Sequence, residues 1–151
     1  MSMVKARTHI IHDQNVCTAC GICELMCSLY HEDLYSPSLS RSQIVRQPFT
    51  ADHEYYVCQQ CESPECYEAC PLKDAAICID SATGIVYING EECTGCGECV
   101  NACPFDPPRI NINVKSDVAF KCDLCRGRED GPICIEYCPF QAIKLESKDE
   151  R

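Results

Sequence analysis

Sixteen of the seventeen cysteines fall into four groups of four, each opening with C-x2-C and closing with C-x3-C. Group one is Cys17, Cys20, Cys23 and Cys27, and group three, Cys93, Cys96, Cys99 and Cys103, repeats its spacing. In group two, Cys58, Cys61, Cys66 and Cys70, the middle gap grows to four residues; in group four, Cys122, Cys125, Cys134 and Cys138, it grows to eight. Pro71, Pro104 and Pro139 follow three of the last cysteines, while Ser28 follows Cys27. Proline suits a helix start because its φ is preset and its missing N–H costs nothing there. Serine is expected to start the turn by capping instead.

Outside these groups the chain has four Phe, seven Tyr and no Trp in 151 residues, a thin core for its length. Small cores need covalent or metal staples. Disulfides fit poorly: the cysteine count is odd, "MSMVKARTHIIHD" lacks the apolar run of an export signal, and a reducing cytosol does not keep structural disulfides. Zinc is the serious alternative, giving a zinc-stapled interaction protein with no redox role. Structural zinc sites pair two CxxC knuckles, whereas groups one and three set three cysteines in one short loop, and groups two and four hold a single CxxC. The spacing therefore favours 4Fe–4S clusters over zinc.

In bacterial ferredoxins with this run, the fourth cysteine ligates the other cluster, so groups work in pairs. Groups two and three are joined by a stretch containing "AICIDSATGIVYI", whose alternating apolar residues flank Thr83-Gly84 and predict a hairpin. The economical arrangement is an inserted unit, residues 58–104, within an outer unit of residues 1–57 plus 105–151. N-terminal "THIIH" and C-terminal "AIKLE" then become neighbouring strands, and "RININ" (109–113) is the corresponding strand after group three. The expected fold class is α+β: two nested bacterial-type two-cluster ferredoxin units, with short strands, short helices and much irregular loop.

From about Thr8 to Leu145 the chain resembles the four-cluster ferredoxin-like subunits of molybdenum, tungsten and related oxidoreductase complexes. "KCDLCRGREDGPICIEYCP" is similar to that family's fourth motif. "CELMCSLYHED" looks like the first motif of the small subunits accompanying tungsten-dependent aldehyde oxidoreductases. The resemblance implies four 4Fe–4S clusters. Cys17, Cys20, Cys23 and Cys138 hold the first; Cys122, Cys125, Cys134 and Cys27 hold its neighbour. Cys58, Cys61, Cys66 and Cys103 hold the third; Cys93, Cys96, Cys99 and Cys70 hold the fourth. Cys78 alternates with Ile77 and Ile79 and reads as a small buried hydrophobe, not a ligand.

The chain offers no nucleophile, open metal site or nucleotide loop, so the expected role is electron transfer rather than catalysis. The resemblance implies a large catalytic partner subunit, a tungsten- or molybdenum-pterin aldehyde oxidoreductase. A flavin subunit or soluble ferredoxin is expected as the second redox partner. Service to a hydrogenase or carbon monoxide dehydrogenase is the alternative, and self-association that extends the cluster array is a further expectation. A formal charge of -10 and a pI of 4.7 argue against nucleic acid and anionic membrane surfaces. No stretch approaches the roughly 20 apolar residues of a membrane span, and the charged ending "LESKDER" favours a soluble, cytoplasmic complex.

Glu24, Glu92, Glu98 and Asp123 lie in or beside the cysteine loops and hint at low potentials, because negative surroundings disfavour added electrons. His9, His12, His31 and His53 share no ligand spacing. Tyr30, Tyr55, Tyr56, Tyr67, Tyr87 and Tyr137 are expected to pack beside clusters or at an interface. Arg126 and Arg128 read either as complements to an acidic partner or as a solvated loop. Residues 34–49 read as a polar, proline-containing linker that docks a large subunit.

Overall fold

The computed structural model describes residues 8–147. Four two-stranded antiparallel sheets alternate with four helices. β1 (Thr8–His12) pairs with β8 (Ile143–Ser147), so the two ends of the described chain close on each other, with Ile10 opposite Leu145. β4 (Ile77–Ile79) and β5 (Val86–Ile88) form the hairpin around Thr83-Gly84. Two-stranded ribbons are marginal by themselves, and each here is held by what it packs against. One apolar cluster gathers Ile10, Ile44, Val57, Leu124 and Ile143; the other gathers Ile77, Val86, Ile110 and Ala119. The result is α+β with short elements and long irregular loops.

The role of proline is the reverse of that expected from sequence. α2 (Glu65–Ala69), α3 (Glu98–Ala102) and α4 (Ile133–Tyr137) are each a bare helical turn of 5 residues. Each ends at the fourth cysteine of its group: Cys70, Cys103 and Cys138 leave the helix with ψ of 123°, 124° and 111°. Proline's ring clashes with a helical conformation at the residue before it. Pro71, Pro104 and Pro139 therefore stop helices rather than start them.

Ser28 applies no such stop, and α1 (Ile22–Glu32) runs on for 11 residues to a left-handed C-cap at Asp33. Ser28 is not a cap but a helix-interior residue with 0% exposure. Its hydroxyl donates to the Leu25 carbonyl at 2.9 Å and accepts from the Ser36 N–H at 3.0 Å, tying the following segment to the helix.

That segment is not the linker expected at residues 34–49. A 3-10 turn at Pro37–Leu39 leads into β2 (Ser42–Val45), which pairs with β3 (Glu54–Val57). Ser40 and Ser42 are buried and contact each other through their hydroxyls, so serine here fills interior positions. "RININ" likewise has an unforeseen partner: β6 (Ile110–Asn113) pairs with β7 (Val118–Lys121), immediately before group four.

Candidate metal centres

Each C-x2-C loop has the same backbone device. The residue just before its second cysteine sits in the left-handed region: Ala19 at φ 56°, Gln60 at 49°, Gly95 at 72° and Leu124 at 57°. In three of the loops this turns that residue's N–H onto the first sulfur. Ala19 donates to Cys17 Sγ at 3.4 Å, Gln60 to Cys58 at 3.5 Å and Leu124 to Cys122 at 3.4 Å. Gly95 is required where it stands, because a Cβ there would lie 2.1 Å from the Asp117 carbonyl oxygen.

The third and fourth cysteines of every group lie four residues apart, either side of one helical turn. Residues at that spacing share a helix face. Groups one and three enter their helices through glycine N-caps at φ 83°, Gly21 and Gly97, which reverse the chain within a two-residue gap. Groups two and four use extended prolines, Pro64 and Pro132, at the same position, and their longer gaps accommodate them.

These local devices gather sulfurs across group boundaries. Cys17, Cys20 and Cys23 line one cavity with Cys138, more than a hundred positions away in sequence, joined by Tyr55 and Phe140. Cys58, Cys61, Cys66 and Cys103 line a second. Cys93, Cys96 and Cys99 line a third with Cys70. Cys27 lies close enough to raise the thiols of Cys122, Cys125 and Cys134, although Cys58 acts on Cys122 more strongly than Cys134 or Cys27 does. The contacts of α1 with α4 and of α2 with α3 bring the paired groups together.

Burial shapes the chemistry of these thiols. It pushes Cys23 up to about 12, helped by neighbouring Cys134, and Cys134 itself to about 12. Cys99 and Cys125 rise to about 11 for the same reason. Burial also lifts Cys122 well above the ordinary thiol range, with Cys58 adding to the effect. Such groups stay protonated until a cation replaces the proton. Further N–H groups point at sulfur from outside the loops: Arg41 at Cys27 (3.3 Å), Arg109 at Cys103 (3.3 Å), Ala119 at Cys93 (3.4 Å) and Ala142 at Cys138 (3.4 Å). Thiolate sulfur ringed by amide donors is the surrounding that tunes iron–sulfur clusters.

A zinc tetrahedron needs its sulfurs about 2.3 Å from one centre. Among the described residues no group of three or more His, Cys, Asp or Glu side chains could hold a single metal ion.

Two of the four acidic residues expected to depress potentials are neutralised locally. Glu24, 4% exposed, accepts from the Ile44 N–H and from Arg46 Nη2, each at 3.2 Å. Asp123 lies 3.5 Å from Arg41 Nη1. Arg126 stacks 3.6 Å above the Tyr87 ring and pairs with Asp80, and Arg128 pairs with Glu136, so both arginines are engaged within the chain. Tyr55 packs against the first apolar cluster and Tyr67 against the second. His9 pairs with Glu146, and His53 accepts from the Gln47 N–H. Cys78 is half-buried, less enclosed than expected, and its thiol donates to the Asp74 and Ala75 carbonyls at 3.5 and 3.6 Å.

Sequence reasoning missed two buried polar residues at the heart of the site, Gln60 and Lys121. Gln60 is 3% exposed and Lys121 is 2% exposed. Each stands next to a cysteine loop, Gln60 inside "CQQC" and Lys121 immediately before Cys122, and that adjacency was their only signal.

Residues 51–148 match the 4Fe-4S dicluster domain family, and the chain belongs to that family. It carries multiple 4Fe–4S clusters, for which the cysteine quartets are the donors on hand. The chain is 38% identical to the polyferredoxin-like subunit of an aliphatic sulfonate oxidoreductase from Pyrococcus furiosus, over 89% of this chain and 73% of that one. It is 34% identical to the electron transport protein HydN of Escherichia coli K12, over 89% of this chain and 85% of that one. In fold it is similar to a chain of the active site complex BamBC of benzoyl coenzyme A reductase. The TM-score is 0.55 at 24% identity, covering 94% of this chain and 80% of the other. Among the described residues no helix is long and apolar enough to cross a membrane.

Proposed function

We propose that this dicluster-family chain is an electron-transfer subunit that relays single electrons between a separate catalytic subunit and a second redox partner. The observation that carries the proposal is the gathering of cysteines from different groups around common cavities. In this reading each group supplies three ligands to one 4Fe–4S cluster and its fourth cysteine to the neighbour. Cys138 completes Cys17, Cys20 and Cys23; Cys27 completes Cys122, Cys125 and Cys134. Cys103 completes Cys58, Cys61 and Cys66; Cys70 completes Cys93, Cys96 and Cys99. The inserted unit is then residues 58–104 and the outer unit residues 1–57 with 105–151. The pairing of β1 with β8 and the packing of α2 against α3 support that division.

Four bound 4Fe–4S clusters supply one-electron chemistry by spreading charge over thiolate-bound iron, with no bond made or broken. The chain's own work is electrostatic and geometric. Buried cysteines keep water from the sulfurs, and amide donors stabilise the negative charge on them. Residues of the two-stranded ribbons pack with the cysteines in both apolar clusters and would hold the loops in place around the clusters.

We assign the catalytic partner to the tungsten- or molybdenum-pterin aldehyde oxidoreductases and the location to the cytoplasm. The first-motif likeness of "CELMCSLYHED" supports the partner. Sixteen cysteines needed as thiolate ligands, which an oxidising compartment would draw into disulfides, support a reducing one. The similarity to an oxidoreductase's polyferredoxin-like subunit supports the wider role. The test is anaerobic purification of the tagged chain, followed by metal analysis of what accompanies it and addition of an aldehyde. A large subunit containing tungsten or molybdenum, with aldehyde bleaching the visible absorbance of this chain, is expected. A large subunit carrying nickel would reassign the partner to hydrogenase or carbon monoxide dehydrogenase. Recovery of the chain with no redox protein attached would count against a subunit role.

A further inference from the structure

Lys121 is among the most buried large side chains of the protein, at 2% exposure. It ends strand β7, opposite Ile110 of β6, and reaches into the space between groups two and four. Its Nζ donates to Cys58 Sγ at 3.4 Å and to the Cys122 carbonyl at 3.1 Å. The side chain also lines the cavity formed by Cys58, Cys61, Cys66 and Cys103. Lysine is almost never this buried unless something answers its charge. Among the described residues no ion pair joins it to a carboxylate. The groups that face its ammonium are sulfur and a carbonyl, so the compensating negative charge must come from the thiolate centre beside it.

We propose that Lys121 is a potential-setting residue. Its fixed positive charge favours the reduced form of the centre held by Cys58, Cys61, Cys66 and Cys103, and so raises that centre's potential above what its thiolates alone would give. The inference rests on the ligand sets proposed above. The step it biases is the gain of one electron, from dithionite in the test below or from the adjacent Cys122 centre in the working chain. No proton moves and no bond forms or breaks. The added negative charge is stabilised by an ammonium already in place, in an interior where screening is weak. The same side chain is bonded to the Cys122 carbonyl, so the bias falls at the junction between the two proposed ferredoxin units. An electron crossing that junction would meet a favourable well rather than a featureless step.

The test is an anaerobic redox titration followed by electron paramagnetic resonance, on the wild type and on Lys121→Met and Lys121→Arg proteins. Iron content is measured on the same samples. Methionine keeps length and removes charge; arginine keeps charge. One midpoint is expected to fall in Lys121→Met by at least a tenfold change in its reduction equilibrium, about 59 mV for a one-electron couple. The adjacent Cys122 centre should move less and the two remaining midpoints should stay in place, and Lys121→Arg should retain most of the wild-type value. Unmoved midpoints in Lys121→Met, or equal shifts in both variants, would overturn the proposal. Loss of one cluster's iron from both variants would also overturn it, by showing that the lysine only builds the site. A wild-type protein without iron would instead sink the ligand sets on which the proposal rests.

Discussion

Gln60 and Val86 hold each other through both backbone polar groups of the valine. Gln60 Oε1 accepts from the Val86 N–H at 2.8 Å, and its Nε2 donates to the Val86 carbonyl at 3.2 Å. The same Nε2 donates to the Cys122 carbonyl at 3.0 Å. One amide thus ties the first loop of group two to strand β5 and to the first cysteine of group four. Gln60→Ala takes their side-chain partner from the Val86 N–H and carbonyl, while the Cys122 carbonyl keeps Lys121, and each buried group left unpaired costs about 1–3 kcal/mol. A loaded iron–sulfur protein does not unfold in two states, so the measurement is the denaturant concentration at which cluster absorbance near roughly 400 nm disappears. That midpoint should fall clearly in Gln60→Ala; an unchanged midpoint would show that the amide does not brace the loops.

Replacing Ser28 with proline should convert group one to the pattern of the other three. The Leu25 and Ser36 contacts would be lost, and the last turn of α1 should unwind. Proline inside a helix costs about 3 kcal/mol or more. Far-ultraviolet circular dichroism should show reduced helicity and the melting point should drop. A Ser28→Ala protein, which keeps the helix, should lose much less.

Crossed ligation predicts a particular pattern of non-additive loss. Cys17→Ala and Cys138→Ala each remove a ligand from the same proposed cluster, so the double variant should lose no more than one cluster's iron, about four atoms. Cys122→Ala with Cys138→Ala should lose about eight, because those cysteines serve different clusters. Iron analysis decides it. If the Cys122 and Cys138 variants combined cost a single cluster, each group closes on itself.

The raised thiols predict the sign of the pH dependence. Cys23 and Cys134 sit at about 12 against an ordinary value of 9.0, so a proton must leave each when iron binds. Cluster binding should therefore release protons and strengthen with rising pH. In the apoprotein the same shift works in the opposite sense. Its contribution to stability is complete below the ordinary thiol value and is lost as pH rises toward about 12. Lowering the pH from about 8 to about 6 should speed iron loss to a chelator. A chelation rate that is the same at both values would contradict this linkage.

Much of this was legible because ligand spacing is a chemical requirement that packing cannot disguise. Cysteine positions announced the four groups, and alternation around Thr83-Gly84 announced the β4–β5 hairpin. What escaped was structure whose cause lies outside the local sequence. β2 looked like linker because Ser40 and Ser42 are polar, yet tertiary contacts bury both. The meaning of proline after the last cysteine depended on whether that cysteine begins or ends a helix, which spacing alone left open. Lys121 and Gln60 are residue types that solvent ordinarily claims. Their burial follows from strands and loops that meet only in the folded chain.

The central claim is that the sixteen grouped cysteines hold four 4Fe–4S clusters. The most direct measurement is iron, acid-labile sulfide and zinc per chain in protein purified without exposure to oxygen. About sixteen irons with matching sulfide and negligible zinc is the predicted result. About four zinc atoms per chain with no sulfide would contradict it.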